Sequence, residues 1–336
     1  MKNDAKPELP THMKAAIYKH YGSPDKISIE QVPVPTVTPA DVLIRVHAST
    51  VNRTDCGFLR GKPYIVRLFS GLLKPKSTIL GCEFAGEVVD AGSKAHDYNI
   101  GDRVFGFKDD DFGFGGHAEY TTMSTTGMLT HIPSHLSFAQ AAPALEGAHY
   151  ALHYIRAANI AAKHSVLING ASGAIGSAAL QIIKHAGAHV TAVCSTANIE
   201  QMKALGADVV IDYQKQDFTQ LDQRFDVVFD SVGKSTFGQC KGIMKPRGVY
   251  MSTELGPYWQ NPFLALLSRF YGTQRVLFPM PDTVAADATF LRKLIEAGAY
   301  QPLVDRVYPL DDIVSAYEFV ETGMKVGNVV IKLSHS

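Results

Sequence analysis

The chain has 336 residues, 46% of them hydrophobic, and two domains are the natural expectation for this length. Lysine plus arginine equals aspartate plus glutamate at 32 each, so no net charge attracts nucleic acid or an anionic membrane, and we expect neither partner. The four cysteines, at positions 56, 82, 194 and 240, are widely spaced. This spacing argues against a disulfide scaffold and favours a reducing, cytoplasmic location. No apolar run approaches the roughly 20 residues of a membrane span, and the polar N-terminus is predicted to be a loose tail.

Short strands separated by proline and glycine are predicted in the first third of the chain, which favours an antiparallel barrel or sandwich. They are Lys14–Tyr18, Ile27–Gln31, Val42–Ala48, Phe84–Asp90 and a strand entered at Gly101–Gly106. After Pro133 the character changes, and an alanine-rich helical stretch from Phe138 to Ala158 follows.

The segment Ser165–Gly187 predicts a strand, a glycine turn and a helix in immediate succession. Gly170, Gly173 and Gly176 lie at the turn and the helix start, where a side chain would block a pyrophosphate. The strand His189–Cys194 then completes a βαβ unit. Because the first amides of a helix and its dipole attract phosphate, this unit predicts a dinucleotide site.

Strands and helices alternate after this unit, which predicts a doubly wound parallel sheet. The later strands are Val209–Asp212, Phe225–Val232 and Gly248–Thr253. A helix at Asp282–Ala297 and strands at Arg306–Tyr308 and Asn328–Leu333 are predicted at the end of the chain.

With these motifs in place, the chain resembles the medium-chain dehydrogenase/reductase superfamily, in its zinc-independent quinone oxidoreductase-like branch. The markers are Val51-Asn52-x-x-Asp55, Leu80–Gly86, Gly101–Gly106, the glycine turn and Ala204–Asp208. The resemblance implies an α/β fold with a partly open, chaperonin-10-like β-barrel catalytic domain, residues 1–138 and 307–336, and a Rossmann domain, residues 139–306. It also implies an active site in the cleft between them and a homodimer.

Metal chemistry separates the branches of this superfamily. Zinc alcohol dehydrogenases place cysteine where this chain has Asn52, histidine where it has Cys82, and cysteine or aspartate near Ala144. One remaining ligand cannot retain zinc, and the closely spaced cysteines of a structural zinc lobe are also missing. We therefore expect no metal, and we interpret Cys82 as a packed thiol and the acidic run Asp109–Asp111 as a solvated loop.

The end of the second Rossmann strand predicts the choice of cofactor. A site selective for NAD has an acid there, whereas this chain has Ser195, which does not repel a 2′-phosphate. In related reductases a serine here, a basic residue and a tyrosine after the third strand hold the phosphate. Ser195 and Tyr213 match, and Lys203 or Lys215 would have to supply the cation. NADPH is therefore predicted over NADH. The alternative is that Tyr213 is an ordinary aromatic residue at the end of a strand and does not contact the phosphate.

Other contacts follow from position in the resembling family. Ser172, Gly173, Ala174 and Ile175 would present amides to the pyrophosphate, Ser231 and Val232 would flank the nicotinamide ribose, and Asn328 would reach the cofactor. Asn52 would lie beside the nicotinamide, or else cap a turn.

The proton donor is not assigned by the resemblance, because Gly57 stands where several relatives have tyrosine. Tyr64, Tyr150 and His149 are candidates by neighbourhood, although a lone histidine is more often structural. Two apolar segments, Tyr64–Leu73 and Trp259–Phe278, are predicted to shape the substrate pocket, or to form a buried helix or dimer contact.

The chain is thus predicted to reduce a quinone or an α,β-unsaturated carbonyl compound. The alternatives are an alcohol dehydrogenase acting on ordinary aldehydes and ketones, and a nucleotide-binding protein with a structural or regulatory role and little turnover.

Overall fold

The computed structural model describes residues 9–108, 114–270, 272–280 and 282–335. The chain divides into two compact units. The first comprises the residues up to Glu146, Thr283–Glu296 and the chain from Pro302, and the second comprises Gly147–Asp282 and Ala297–Gln301. The predicted acidic loop Asp109–Asp111 and most of the N-terminal tail lie outside the described residues.

The first unit is built around a mostly antiparallel sheet of seven strands with a separate two-stranded hairpin. The hairpin pairs β1 with β2, and the sheet runs in the order β14-β15-β3-β4-β5-β7, with β6 paired to β3. The strands are β1 His12–Tyr18, β2 Ile27–Pro33, β3 Asp41–Val51, β4 Glu83–Ala91, β5 Arg103–Phe107, β6 Tyr120–Ser124, β7 Met128–His131, β14 Val304–Pro309 and β15 Asn328–Lys332. Its helices are α1 Arg53–Arg60, α2 Val66–Ser70, α3 Phe138–Ala141, α9 Ala285–Glu296 and α10 Ile313–Glu321.

The second unit is a six-stranded sheet whose strands all pair in parallel, in the order β10-β9-β8-β11-β12-β13. The strands are β8 Ser165–Asn169, β9 His189–Cys194, β10 Val209–Asp212, β11 Phe225–Asp230, β12 Met244–Ser252 and β13 Arg275–Leu277. Its helices are α5 Ala174–His185, α6 Ile199–Ala204, α7 Phe237–Cys240 and α8 Gln260–Leu267, and α4 Glu146–Ala157 leads into it.

The order of these parallel strands explains where a ligand can enter the second unit. The chain moves outward from β8 to β10 and then returns to the other side of β8 as β11. The loops after β8 and β11 therefore leave in opposite directions and open a crevice at the carboxyl ends of these strands. The turn that follows β8 is the predicted dinucleotide turn.

Most predicted elements are present within a few residues, and the parallel sheet and the separate antiparallel sheet confirm the predicted fold class. The unit boundaries differ from those predicted, which were residues 138, 139, 306 and 307. The first unit continues to Glu146 and takes in Thr283–Glu296, because α9 packs against β7 of the antiparallel sheet.

Candidate active site

The glycine turn connects a buried strand directly to a helix. The strand β8 ends at Asn169, Gly170 takes a left-handed φ of 79°, and Gly173 immediately precedes α5. The first-turn amides of a helix have no acceptor within the helix, and Gly173 has no side chain to cap them. Residues 172–175, Ser172, Gly173, Ala174 and Ile175, are all partly exposed. The Gly173 amide, which was predicted to face the pyrophosphate, donates instead to the Gly170 carbonyl oxygen at 3.0 Å and closes the turn. The first-turn amides that follow it lie at the positive end of a twelve-residue helix.

The space available for a side chain differs among the three glycines. A Cβ on Gly176 would lie 2.3 Å from the Gly170 carbonyl oxygen, and one on Gly170 would lie 2.4 Å from a methyl carbon of Val232. These two glycines are required by the packing of the turn itself. A Cβ on Gly173 would meet only the Gly170 oxygen at 3.4 Å, an ordinary contact. The chain's own packing therefore leaves open a space in front of Gly173, as a phosphate-binding turn requires.

The carboxyl end of β11 lies against this turn. The Ser231 hydroxyl donates to the carbonyl oxygen of Asn169 at 2.9 Å, and the Ser231 amide donates to the same oxygen at 3.0 Å. Val232 is partly exposed and packs over Gly170. Ser231 and Val232 thus lie beside the glycine turn, as expected of residues that flank a bound nucleotide.

The ends of β9 and β10 bring the predicted 2′-phosphate residues together. The Tyr213 amide donates to the Cys194 carbonyl oxygen at 3.1 Å, which places the half-exposed Tyr213 next to Ser195. The Thr196 hydroxyl donates to Asp212 at 2.5 Å, and Lys215 lies 3.6 Å from the same carboxylate.

This geometry distinguishes between the two lysines proposed to supply the cation. Lys203 forms an ion pair with Glu200 on α6, whereas Lys215 lies beside Asp212 at the end of β10. The structure also adds Asp212, an acid that sequence reasoning missed because it belongs to β10 and not to the position after β9. Its hydrogen bond from Thr196 and its neighbour Lys215 lower the pKa of the Asp212 carboxyl.

A buried polar cluster in the first unit surrounds Asn52, which immediately precedes α1. The Asn52 amide nitrogen donates to Glu83 at 3.1 Å and to Glu146 at 2.5 Å. The backbone amide of Asn52 donates to Asp55 at 2.8 Å, and Gly81 donates to the other oxygen of Asp55 at 3.0 Å. Asn52, Asp55, Glu83 and Glu146 are all buried. Asp55 thus caps the backbone amide of Asn52 at the helix start, and the Asn52 side chain joins two carboxyl groups.

The hydrogen bonds of Glu83 favour an ionised carboxylate. One oxygen accepts from the backbone amides of Leu145 and Glu146 at 2.8 and 2.5 Å. The other accepts from the Thr50 hydroxyl at 3.0 Å and from the Asn52 amide at 3.1 Å. Three of these neighbours, the two backbone amides and the Asn52 amide, can only donate, whereas the Thr50 hydroxyl can also accept and itself accepts from Asn52 at 3.1 Å.

Glu146 has a different set of partners. Its Oε2 accepts from Asn52 and from the Cys82 thiol at 3.3 Å, but its Oε1 lies 2.5 Å from the Thr54 hydroxyl. A hydroxyl can accept as well as donate, so Glu146 can carry a proton on Oε1 without losing a bond.

Burial favours the protonated form of the carboxyl groups in this cluster. It raises the pKa of Glu146 to about 7 and, with the charge of Glu146, raises the pKa of Glu83 to about 8. The two groups titrate as a pair that holds one proton near neutral pH. The order of these two values would place that proton on Glu83, but Glu83 faces three N–H groups that can only donate and Glu146 faces one, so we place the proton on Glu146.

One cation approaches this cluster. The Lys325 ammonium donates to the Gly327 carbonyl oxygen at 2.6 Å and lies 3.4 Å from the Asn52 side-chain oxygen. Desolvation lowers the pKa of Lys325, whereas the charges of Glu146 and Glu83 raise it. Glu83, Glu146 and Lys325 were missed at the sequence level. The sequence signal for them was a charged side chain within a stretch that the fold buries.

The residues at the positions of zinc ligands do not fit a zinc ion. Asn52 turns its nitrogen, which cannot ligate, toward two carboxyl groups. Cys82 donates a hydrogen bond to Glu146, and burial raises the pKa of its thiol well above the usual range. Within the described ranges, no group of three histidine, cysteine or acidic side chains is arranged to hold a metal.

The remaining predicted residues lie at separate places. Tyr64 is 67% exposed, and its ring contacts the cations of Lys62 and Arg67, so it is outside the buried cluster. His149 is fully buried on α4, with its ring 5.7 Å from the ring of Tyr150.

Asn328, the first residue of β15, is buried. Its side-chain nitrogen donates to the Leu303 carbonyl oxygen at 3.0 Å. Its side-chain oxygen has no hydrogen-bond partner among the described residues. A buried acceptor without a donor is costly, and an incoming donor would satisfy it.

Comparisons with known proteins agree with this architecture. A family model for the alcohol dehydrogenase GroES-like domain matches residues 38–134, and one for zinc-binding dehydrogenases matches residues 205–331. The chain is 33% identical to 2-methylene-furan-3-one reductase of Solanum lycopersicum, over 96% of this chain and 80% of that protein. It is 32% identical to the chloroplastic NADPH-dependent alkenal/one oxidoreductase of Arabidopsis thaliana, with the same coverage of 96% and 80%.

A solved structure extends the similarity to the entire fold. The quinone oxidoreductase of Coxiella burnetii matches with a TM-score of 0.85 and 27% identity, over 96% of this chain and all of that one. Among the described residues, no helix is both long and apolar enough to cross a membrane.

Proposed function

Since the chain belongs to the medium-chain dehydrogenase/reductase superfamily, in its quinone oxidoreductase-like branch, we propose that it transfers hydride from NADPH to a quinone or an α,β-unsaturated carbonyl compound, without zinc. The open space at Gly173 is the observation that carries the nucleotide part. The relatives in tomato and Arabidopsis, named as reductases of a methylene-furanone and of alkenals and enones, support the substrate class.

The second unit would hold the dinucleotide. The first-turn amides of α5 would donate to the pyrophosphate, with Ser231 and Val232 beside the nicotinamide ribose. Ser195, Tyr213 and Lys215 would surround the 2′-phosphate, and the exposed Lys215 ammonium would offset the charge of Asp212. The bound cofactor supplies the hydride, which leaves the substrate with a pair of electrons that needs a proton.

The buried cluster of the first unit would supply that proton. Glu146 holds it on Oε1 against the partly exposed Thr54 hydroxyl. Thr54 would pass its own proton to the enolate or quinol oxygen and take the proton of Glu146 in exchange. Glu146 then carries the negative charge until water returns a proton. Asn52 has a positioning role, because its amide hydrogens are already directed to Glu83 and Glu146.

A zinc ion has no place in this proposal, because Asn52 and Cys82 are donors in the cluster and not ligands. Stoichiometric zinc found by elemental analysis of the purified protein would contradict it. An alcohol dehydrogenase is the competing activity. We further propose a cytoplasmic homodimer whose partner is a small apolar electrophilic substrate and which needs no nucleic acid.

The decisive experiment measures NADPH and NADH oxidation in parallel over a panel of quinones, enones, saturated aldehydes and ketones. We expect turnover with quinones or enones and NADPH. Activity with saturated carbonyls alone would support the alcohol dehydrogenase alternative, and binding without turnover would support a regulatory protein.

Ser195→Asp tests the cofactor site separately. A carboxylate about 4 Å from the 2′-phosphate at this exposed site costs about 1–2 kcal/mol, or roughly tenfold in the Kd of NADPH. The Kd of NADH should change little. An equal rise in the Kd of both cofactors would show that Ser195 does not contact the 2′-phosphate.

A further inference from the structure

A segment of the first unit combines basic residues with exposed apolar ones. Between Asp55 and Glu83 the sequence contains no acidic residue and five basic ones, Arg60, Lys62, Arg67, Lys74 and Lys76. The expectation of no membrane partner was based on the net charge of the entire chain. Arg60 forms an ion pair with Glu321, which leaves four basic residues in this stretch against no acidic one. Electrostatic attraction to a surface acts over a Debye length of about 8 Å, so this local asymmetry matters more than the net charge.

The middle of this stretch, residues 64–76, exposes large apolar side chains and is called the basic-apolar segment here. Tyr64, Leu68, Leu72 and Leu73 are 67, 66, 66 and 88% exposed. Lys74 and Lys76 follow directly and are also exposed. Single exposed apolar residues are ordinary, but several within ten residues mark an interaction surface.

The segment has a defined conformation that turns these side chains outward. The Tyr21 hydroxyl donates to the Gly71 carbonyl oxygen at 2.6 Å and lies 2.8 Å from the Ser70 hydroxyl. The Arg67 side chain donates to the Gly61 carbonyl oxygen at 3.1 Å and stacks over the Tyr21 ring. Ser70 and Gly71 are buried while their neighbours are exposed. The apolar face is therefore a feature of an anchored structure.

We propose that the basic-apolar segment docks this protein onto the surface of an anionic lipid bilayer. Leucine and tyrosine side chains would enter the interface between headgroups and acyl chains, and the lysines beside them would lie at the lipid phosphates. A second protein copy would have to bring acidic residues to this surface, whereas an anionic bilayer supplies negative charge and an apolar layer together. The proposal does not depend on the chemical reaction.

Cosedimentation with vesicles tests this docking. The full chain is mixed with phosphatidylcholine vesicles, and with vesicles in which about a third of the lipid is phosphatidylserine. We expect binding to the anionic vesicles that weakens as salt is added. The double variant Lys74→Gln/Lys76→Gln should lower the affinity about 25-fold, since each lysine contributes about fivefold near such a surface. Lys94→Gln, an exposed lysine outside the segment, is the matched control and should bind as the wild type does.

A second pair of variants tests the apolar contribution. Leu72→Ser/Leu73→Ser should lower the affinity at least tenfold, whereas Ile100→Ser, at a half-exposed isoleucine elsewhere, should not change it. The proposal is wrong if the wild type ignores anionic vesicles or if both double variants bind like the wild type. It is also wrong if the leucine variant dissociates an oligomer in light scattering while vesicle binding persists, since the segment would then join two copies.

Discussion

Replacing Glu83 by glutamine should destabilise the protein strongly, although the substitution keeps the shape of the side chain. Glu83 accepts four hydrogen bonds, two from backbone amides and two from side chains. The best orientation of a glutamine keeps its oxygen on the backbone amides and turns its NH2 toward Thr50 and Asn52. The Asn52 amide then faces another donor, and each buried group left unpaired costs about 1–3 kcal/mol. We expect Glu83→Gln to lower the free energy of unfolding by about 3 kcal/mol.

Replacing Glu146 by glutamine should have a much smaller effect. The glutamine oxygen can accept from Asn52, and its NH2 can donate to the Thr54 hydroxyl as the protonated carboxyl does. At pH 6 we expect a change below about 1 kcal/mol. Glu146→Gln is thus the matched control for Glu83→Gln within one cluster.

The protonation of Glu146 also predicts how the stability changes with pH. The folded state raises the pKa of Glu146 from 4.5 to about 7, so its contribution is fully present below pH 4.5 and is lost as the pH rises through 7. A shift of this size corresponds to about 3 kcal/mol. The wild type should therefore lose stability between pH 5 and 8, and Glu146→Gln should lose less.

Urea unfolding followed by circular dichroism at pH 5, 6, 7 and 8 measures both effects, provided that the m-value is unchanged. Activity gives an independent check, because Glu146→Gln should lower kcat for enones and leave the Kd of NADPH unchanged. If Glu146→Gln is as destabilising at pH 6 as Glu83→Gln, Glu146 is ionised there, and the assigned proton position is refuted.

Two further predictions concern the nucleotide site. Gly176→Ala should lower the free energy of unfolding by about 3 kcal/mol, because its Cβ would lie 2.3 Å from the Gly170 oxygen. Gly173→Ala should leave the melting temperature unchanged, because its Cβ makes only an ordinary contact. It should nevertheless weaken NADPH binding at least tenfold in fluorescence titration. Unchanged NADPH affinity in Gly173→Ala would exclude this turn as the phosphate site. Lys215→Ala should raise the Kd of NADPH about fivefold without affecting NADH, and Lys203→Ala should change neither; equal effects of the two lysines would contradict the assignment of Lys215.

The parallel sheet could be predicted closely because its signals are local. The strand His189–Cys194 is a short run rich in β-branched and small apolar residues that follows a glycine, and the structure reproduces its limits. The three-residue edge strand β13 was not predicted, because it follows an irregular apolar segment and owes its conformation to pairing with β12. The domain boundary was displaced for a similar reason, since the packing of α9 on β7 joins residues more than 150 positions apart.

The polar site was less predictable than the fold. Asn52 and Asp55 form a recognisable motif, but Glu83 and Glu146 are 63 positions apart, and nothing in their local sequence indicates that they bracket one amide group. The location of Asp212 beside Thr196 likewise depends on the parallel register of β9 and β10, which the sequence does not specify. Charged residues in apolar surroundings indicate burial, but only the fold determines which of them become partners.

The glycine motif shows why a motif alone is weak evidence for a ligand. Two of its three glycines are explained by contacts within the protein, since a side chain at Gly170 or Gly176 would collide with the turn or with Val232. A protein that binds nothing would need them equally if it used the same tight strand-to-helix turn. Gly173 is the position where the fold tolerates a methyl group and the sequence nevertheless has none. A bound dinucleotide is therefore inferred from this residue and from the uncapped amides behind it, and substitution of Gly173 separates binding from folding.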